Sequence, residues 1–144
     1  MDIIDILVVE DNDADAEICL RTLKKTGLSN LIYCVKDGLQ ALDFLFATTT
    51  FAYRKVENIP KLIILDLNMP HIDGLSVLKV IRGDDRTRMI PVVVLTASSE
   101  KEDEEKCKAL NVSRFIQKPV DSAEFSKIIE EIGRQWLSAD KTNH

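Results

Sequence analysis

Residues 61–70 read KLIILDLNMP, so a run of aliphatic side chains ends directly at an aspartate, Asp66. An unbroken apolar run of this length is typical of a strand that is covered on both faces. Short apolar runs recur along the chain at residues 3–9, 31–35, 91–95 and 114–117. Together with residues 62–65, they predict five strands.

Apolar residues at helical spacing follow each predicted strand, which predicts five helices. Their expected buried faces are Ala16, Cys19, Leu20 and Leu23 in the first helix; Leu39, Leu42 and Phe46 in the second; Leu75, Leu78 and Ile81 in the third; Cys107, Ala109 and Leu110 in the fourth; and Phe125, Ile128, Ile129, Ile132 and Trp136 in the fifth. Gly27 suits the end of the first helix, and Asp121 with Glu124 resembles a capping box before the fifth. The fourth helix, at residues 100–110, has the weakest apolar face.

A strand–helix alternation repeated five times implies right-handed crossovers and a parallel sheet with helices on both faces. We therefore predict an α/β fold, a doubly wound five-stranded parallel sheet, in a single domain. This domain would span residues 1–144, with a core at about residues 3–138 and a short tail at residues 139–144. In such folds, ligands bind outside the carboxyl ends of the strands.

Polar residues stand at the carboxyl ends of four predicted strands. They are Glu10 and Asp11 after strand one, Asp66 after strand three, Thr96 (followed by Ala97) after strand four, and Lys118 (followed by Pro119) after strand five. A parallel sheet brings these ends together, so we expect three carboxylates, a hydroxyl and an ammonium around one crevice. Clustered carboxylates repel one another and need a proton or a cation. Oxygen donors in a cage that leaves room for water favour Mg²⁺.

Together, these groups favour phosphoryl transfer. An aspartate is an established nucleophile that forms an aspartyl-phosphate. A metal ion, a lysine and a hydroxyl would stabilise the charge on the equatorial oxygens of the transferred group. Without the metal and the lysine, an acidic pocket would repel phosphate.

The strand-end residues, with two dipeptides after the central aspartate, resemble the receiver domain of two-component response regulators over residues 3–137. The two dipeptides are Met69-Pro70 and Asp73-Gly74. The resemblance implies a flavodoxin-like sheet of order 2-1-3-4-5 with five helices. It also implies that Asp66 accepts a phosphoryl group from the phosphohistidine of a sensor histidine kinase. The face of helix four, strand five and helix five would then switch for partner binding, which makes the domain a signalling module and not an enzyme in its own right.

The resemblance further implies a metal site. Asp11 and Asp66 match the carboxylates that bind Mg²⁺, with Glu10 acting directly or through water. Asn68, two residues past the acceptor, matches the position that offers its backbone carbonyl to the metal.

Three further positions match residues that respond to the phosphoryl group. Thr96 matches the hydroxyl that turns towards it, and Lys118 matches the ammonium that pairs with one of its oxygens. Phe115 matches the aromatic switch position. The bond between Lys118 and Pro119 is often cis in this family, although trans is the general preference of such bonds.

A narrower resemblance concerns single-domain receivers that partner phytochrome-type histidine kinases. It is carried by the long connection at residues 48–60, the acidic fourth helix and the closing Gln135-Trp136-Leu137. We expect no output domain after the fifth helix, so the domain would signal through its own surface, to a partner or as a homodimer.

Asp11, Asp13 and Asp15 also match the first positions of a calcium-binding EF-hand loop. The loop would need glycine where Ala16 stands and glutamate where Thr22 stands, so we reject it. We interpret Asp13 and Asp15 as first-turn acids that the helix dipole favours.

Two other functions are conceivable on this fold. A phosphatase with an aspartate nucleophile needs a second acid two residues on, where the chain has Asn68. A nucleotide or flavin site needs a glycine- or serine-rich loop after strand one, where residues 10–13 are acidic. Both are disfavoured.

Composition agrees with a globular domain. The chain has 144 residues, of which 45% are hydrophobic and 30% charged. Its net charge of −5 gives no electrostatic basis for general nucleic-acid binding. No uncharged stretch approaches the ~18 apolar residues that span a bilayer, so we expect no membrane segment. The three cysteines lack metal-ligand spacing, and we expect free thiols in the cytoplasm.

Overall fold

The computed structural model of the protein describes residues 5–25, 31–69, 72–97, 100–119 and 121–142, with side chains described through residue 136. Its elements in chain order are β1 (Ile6–Val9), α1 (Asp13–Lys25), β2 (Ile32–Val35), α2 (Gly38–Leu45), a short 3-10 helix (Thr49–Phe51), β3 (Leu62–Asp66), α3 (Gly74–Gly83), β4 (Val92–Thr96), α4 (Lys101–Ala109), β5 (Arg114–Gln117) and α5 (Ser122–Thr142). The predicted helix end at Gly27, Pro70 and the side chain of Leu137 lie outside the described residues.

The five strands form one parallel sheet in the order β2-β1-β3-β4-β5. This confirms the predicted fold class and the strand order that the resemblance implied. The register pairs Asp66 with β4 and Thr96 with β5, so the carboxyl ends of these strands are level. Backbone hydrogen bonds extend the edge beyond the strands, from Glu10 to β2 (3.0 Å) and from Lys118 to the Thr96 carbonyl (2.7 Å).

Both faces of the sheet are covered by helices, because alternate strand residues point to opposite sides. On one side, α2, α3 and α4 contribute buried residues such as Phe44, Leu78 and Cys107. On the other side, α1 and α5 contribute Leu23 and Ile129. Burial on both faces explains the unbroken aliphatic sequences of β1, β3 and β4. Within the described ranges, no helix combines the length and apolar character needed to cross a bilayer.

The predicted buried faces of α3 and α5 are confirmed, since their apolar residues line the core fully or partly. The face predicted for α2 is confirmed only in part: Leu42 and Phe46 pack partly buried against the core, but Leu39 is 52% exposed. The fully buried residues of this helix are Gly38, Ala41, Phe44 and Leu45. The helix meets its neighbours through small residues, and a Cβ at Gly38 would lie only 2.5 Å from Val77 Cγ2. The glycine thus lets the first turn of α2 approach α3, while Phe44 and Leu45 fill the core further along the helix.

Two other helices differ from the prediction at single positions. In α1, Thr22 is buried while Leu20 is half-buried, and the hydroxyls of Thr22 and Ser126 share a hydrogen bond (2.8 Å) that joins α1 to α5. In α4, Cys107 is buried but Ala109 is exposed. Fewer apolar groups than predicted therefore anchor α4.

The connection at residues 48–60 packs against α2. Its short 3-10 helix buries Phe51 against Phe44, with ring centroids 5.2 Å apart. The buried Arg54 guanidinium lies 3.8 Å from the centroid of the Phe44 ring and donates to the carbonyls of Phe44 and Asn58. Because the connection leads into the amino end of β3, it lies at the opposite end of the sheet from the carboxyl edge.

Candidate functional site

The carboxyl edge of the sheet gathers the side chains that the sequence predicted to meet there. Asp66 is the last residue of β3 and Thr96 the last of β4, and both are buried. Glu10 directly follows β1 and is also buried. Lys118 directly follows β5. The ends of four parallel strands thus converge on one polar site.

A carboxylate cluster forms the floor of this site. Glu10, Asp11 and Asp66 each offer an oxygen, and these oxygens lie within 4.8 Å of one another. Glu10 and Asp66 are buried, whereas Asp11 is exposed and opens the cluster to solvent. Hard oxygen donors with an open side fit a divalent cation that keeps part of its water shell.

Lys118 neutralises part of this charge. Its Nζ lies 2.7 Å from Glu10 Oε1, 2.9 Å from Asp15 Oδ2 and 3.3 Å from Asp66 Oδ2. The ammonium has three donors, so each can meet one carboxylate. The lysine therefore occupies a central position between the predicted acceptor and the predicted metal ligands.

Asp15 is a site residue that the sequence interpretation missed. The strand-end argument did not include it because it lies on α1, where it was interpreted only as a first-turn acid. However, α1 begins at Asp13, directly beyond the end of β1, so its first turn adjoins the same edge. The Asp15 N–H donates to Asn12 Oδ1 (3.0 Å), which fixes this turn.

Burial and the neighbouring charges shift the pKa values of two groups. Burial raises the pKa of Glu10 to about 7, with repulsion from Asp66 adding to the shift and the bond to Lys118 opposing it. Burial alone would lower the pKa of Lys118, but hydrogen bonds to Glu10 and Asp15 and attraction by Asp66 raise it. Lys118 is therefore a permanent cation in this pocket.

Asn68 links the acceptor to the hydroxyl. Its backbone N–H donates to Asp66 Oδ1 (3.1 Å), and its side-chain Nδ2 donates to Thr96 Oγ1 (3.0 Å). The sequence suggested a role only for the backbone carbonyl of Asn68. The side-chain contact depends on the level ends of β3 and β4, which a sequence pattern does not specify.

The structure explains why Asp73 and Gly74 stand at the start of α3. Asp73 caps α3 by accepting from the Ser76 N–H (2.8 Å). A Cβ at Gly74 would lie 2.4 Å from the Asp66 carbonyl oxygen, so only glycine lets α3 start this close to the end of β3. The Gly74 N–H donates to the Leu67 carbonyl (2.9 Å) and closes the turn after Asp66.

Two expectations concern β5 and the residues after it. Phe115 is half-buried on β5 and packs against the core on the α2, α3 and α4 side, and its role as a switch stays a prediction. The bond between Lys118 and Pro119 is trans, since the described residues contain no cis peptide. The cis form that is common in the family is therefore absent here.

The fold and the site define a class of protein. The sequence pattern of the response regulator receiver domain matches residues 6–130, and the chain belongs to this family. Receivers are signalling domains, which agrees with the signalling role that we expected from the sequence.

Individual relatives cover nearly the whole chain. The probable methanogenesis regulatory protein FilR2 of Methanothrix harundinacea is 34% identical, over 95% of this chain and 86% of FilR2. Response regulator Rcp1 of Synechocystis sp. is 34% identical, over 92% of this chain and 88% of Rcp1.

Solved structures of response regulators are also similar to this chain. The Mn(2+)-bound form of Rcp1 has a TM-score of 0.86 at 33% identity, covering 92% of this chain and 93% of the Rcp1 chain. The phosphorylated cyanobacterial phytochrome response regulator RcpA also has a TM-score of 0.86, at 34% identity, covering 93% of this chain and 94% of the RcpA chain. The close relatives of this chain thus include phytochrome-associated response regulators.

Proposed function

We propose that this protein is a response regulator that accepts a phosphoryl group on Asp66 from the phosphohistidine of a sensor histidine kinase, in a reaction that requires Mg²⁺. One observation carries the proposal: three carboxylates, a hydroxyl and an ammonium converge at one edge of the sheet. Phosphoryl transfer depends mainly on positioning and on neutralising charge, and this set of groups can do both.

Glu10, Asp11 and Asp66 would hold the divalent ion, with the backbone carbonyl of Asn68 as a further ligand. When bound, the ion neutralises negative charge that develops on the phosphoryl oxygens. The fit rests on the donor set, because carboxylate oxygens within 4.8 Å of one another are the ligands that hard cations prefer. The existence of a Mn(2+)-bound form of the relative Rcp1 supports the binding of a divalent ion by this chain.

Asp66 acts as the nucleophile. One of its carboxylate oxygens attacks the phosphorus in line with the leaving imidazole. The new O–P bond forms as the N–P bond of the phosphohistidine breaks, and the electron pair returns to the imidazole nitrogen. Lys118 then pairs with one phosphoryl oxygen, and the Thr96 hydroxyl turns from Asn68 to donate to another.

The new phosphoryl group changes the surface formed by α4, β5 and α5. Movement of Thr96 alters the packing of Phe115, which lies one strand away on β5. Helix α4 is the element that shifts, because Cys107 is its buried anchor and its ion pairs are exposed to solvent. Elements that move in switches are drawn from weakly packed parts of a fold.

The partner is a sensor histidine kinase of the phytochrome type. The likeness to RcpA, a phytochrome response regulator, supports this choice. Residues 1–144 would form a single receiver domain in the cytoplasm, and its switch surface would bind its target or a second copy of the chain.

Intact mass spectrometry tests the proposal. Incubation with Mg²⁺ and acetyl phosphate should add one phosphoryl group to each chain, and EDTA should prevent the addition. Asp66→Asn should abolish the gain in mass. Asp73→Asn is the matched control, since this nearby aspartate caps α3, and it should be labelled like the wild type. Equal labelling of the wild type and Asp66→Asn would overturn the proposal.

A further inference from the structure

The three carboxylate partners of Lys118 are not equivalent. Glu10 and Asp66 belong to the cluster that fits a divalent ion, whereas Asp15 lies on α1 outside that cluster. Asp15 is nevertheless closer to Lys118 Nζ than Asp66 is, at 2.9 Å against 3.3 Å. Only 13% of the Lys118 side chain and 25% of the Asp15 side chain are exposed, so solvent screens this pair less than a surface ion pair.

Binding of a divalent ion would change the balance between these partners. The ion and the ammonium would compete for oxygens of Glu10 and Asp66, and the two cations would repel each other. Asp15 is the partner that can still neutralise Lys118 without contacting the ion. Loss of this contact would leave the lysine with only those carboxylates that the ion also needs.

We infer that Asp15 is a positioning residue, which holds the ammonium of Lys118 beside Asp66 while a divalent ion is bound. The lysine is then available to an incoming phosphoryl oxygen and does not obstruct the ion. This inference rests on the proposed function of the same site and adds one residue to it.

The location of Asp15 suits a positioning role. It lies in the first turn of α1, where its N–H is held by Asn12, and the buried residues Ala16 and Cys19 anchor the same helix to the core. A carboxylate on a packed helix holds its partner more rigidly than one on a loop.

Asp13 provides a matched comparison in the same helical turn. It carries the same charge and has the same relation to the helix dipole, but its side chain is 90% exposed and binds Lys36 (2.7 Å) on the surface. An effect of Asp15 that Asp13 lacks therefore comes from the place of Asp15 beside the site and not from its charge at the start of the helix.

Calorimetric titration with Mg²⁺ tests the inference directly. Asp15→Asn should raise the Mg²⁺ dissociation constant about fivefold, because Lys118 then competes fully for Glu10 and Asp66. Asp13→Asn should change it by less than about twofold. Asp15→Glu keeps the charge and should stay within about twofold of the wild type. Equal dissociation constants for Asp15→Asn and Asp13→Asn would overturn the inference.

A double-mutant cycle shows whether Asp15 acts through Lys118. In a Lys118→Met background, the additional change Asp15→Asn should have no more effect than Asp13→Asn has in the wild type. If the full loss of Mg²⁺ affinity persists without the lysine, Asp15 acts only as a nearby negative charge, and the positioning role is refuted.

The rate of phosphorylation gives a second readout. At saturating Mg²⁺ and with acetyl phosphate, Asp15→Asn should be labelled about tenfold more slowly than Asp13→Asn. Equal rates would contradict the positioning role. If the wild type takes up no phosphoryl group, the proposed function fails, whereas the Mg²⁺ titration and the cycle still decide the role of Asp15.

Discussion

Glu10 is buried, lies beside a cation and is a proposed metal ligand. Burial raises its pKa to about 7, although Lys118 lies only 2.7 Å away. Near neutral pH, Glu10 therefore exchanges a proton in the metal-free protein. A divalent ion needs its carboxylate ionised, so binding of the ion and release of this proton are linked.

We expect Mg²⁺ to stabilise the protein more strongly as the pH rises from about 6 to about 8. The pKa of Glu10 is about 7 when folded against an ordinary value of 4.5, so the folded metal-free protein binds more protons than the unfolded chain between these values. Raising the pH from 4.5 to about 7 therefore lowers the free energy of unfolding of the metal-free protein. The same rise in pH produces the ionised form of Glu10, which is the form that the proposed Mg²⁺ site needs.

Melting temperatures with EDTA and with saturating Mg²⁺ measure both effects. Glu10→Gln cannot ionise, so it should flatten the pH dependence of the metal-free protein and weaken the response to Mg²⁺. A gain from Mg²⁺ in the wild type that stays constant across this range would contradict the assignment of Glu10.

At the scale of elements, the site depends on how closely α3 approaches the end of β3. Asp73 caps the helix, and Gly74 packs against the backbone of Asp66 and Leu67. This contact fixes the turn that carries the predicted acceptor. The close packing at Gly74 leaves no room for a side chain. Packing therefore explains this glycine, and no chemical role is needed.

Gly74→Ala should destabilise the protein by about 3 kcal/mol, because the new Cβ would lie 2.4 Å from the Asp66 carbonyl oxygen and 2.6 Å from Leu67 Cα. Gly83→Ala in the same helix is the control, since a Cβ there meets nothing within 4 Å. It should stay within about 1 kcal/mol of the wild type, on the stabilising side. Urea unfolding measures the stability of both variants. Equal stabilities would show that α3 does not approach the end of β3 this closely.

Strands β1, β3 and β4 could be predicted from the sequence because burial on both faces requires unbroken apolar runs, and the two less buried edge strands, β2 and β5, followed from their shorter runs. The strand-end residues followed from these runs, since a parallel sheet makes its carboxyl ends meet. By contrast, the buried face of α2 was predicted only in part, because apolar residues surround much of this short helix and their spacing does not single out the face with Gly38, Ala41, Phe44 and Leu45. Asp15 and the side chain of Asn68 were missed for a related reason: their contacts depend on the exact placing of neighbouring elements.

At the scale of the whole molecule, two separate cores hold one sheet between them. Both faces are used for stability, so the carboxyl edge is the place where polar side chains from β1, β3, β4 and β5 can meet. The weakly anchored α4 lies beside this edge, while the connection at residues 48–60 packs at the opposite end. The molecule thus combines a rigid frame, an acidic edge and one loosely held helix, as expected of a phosphorylation-dependent switch.

The most direct test of this account is to locate the phosphoryl group on the chain. Borohydride reduces an aspartyl-phosphate to homoserine, which marks the acceptor permanently. After phosphorylation with Mg²⁺ and acetyl phosphate, reduction and digestion with trypsin, peptide sequencing by mass spectrometry should find homoserine at position 66 in the peptide of residues 62–79. Homoserine at Asp11 or Asp73, with Asp66 unchanged, would contradict the account.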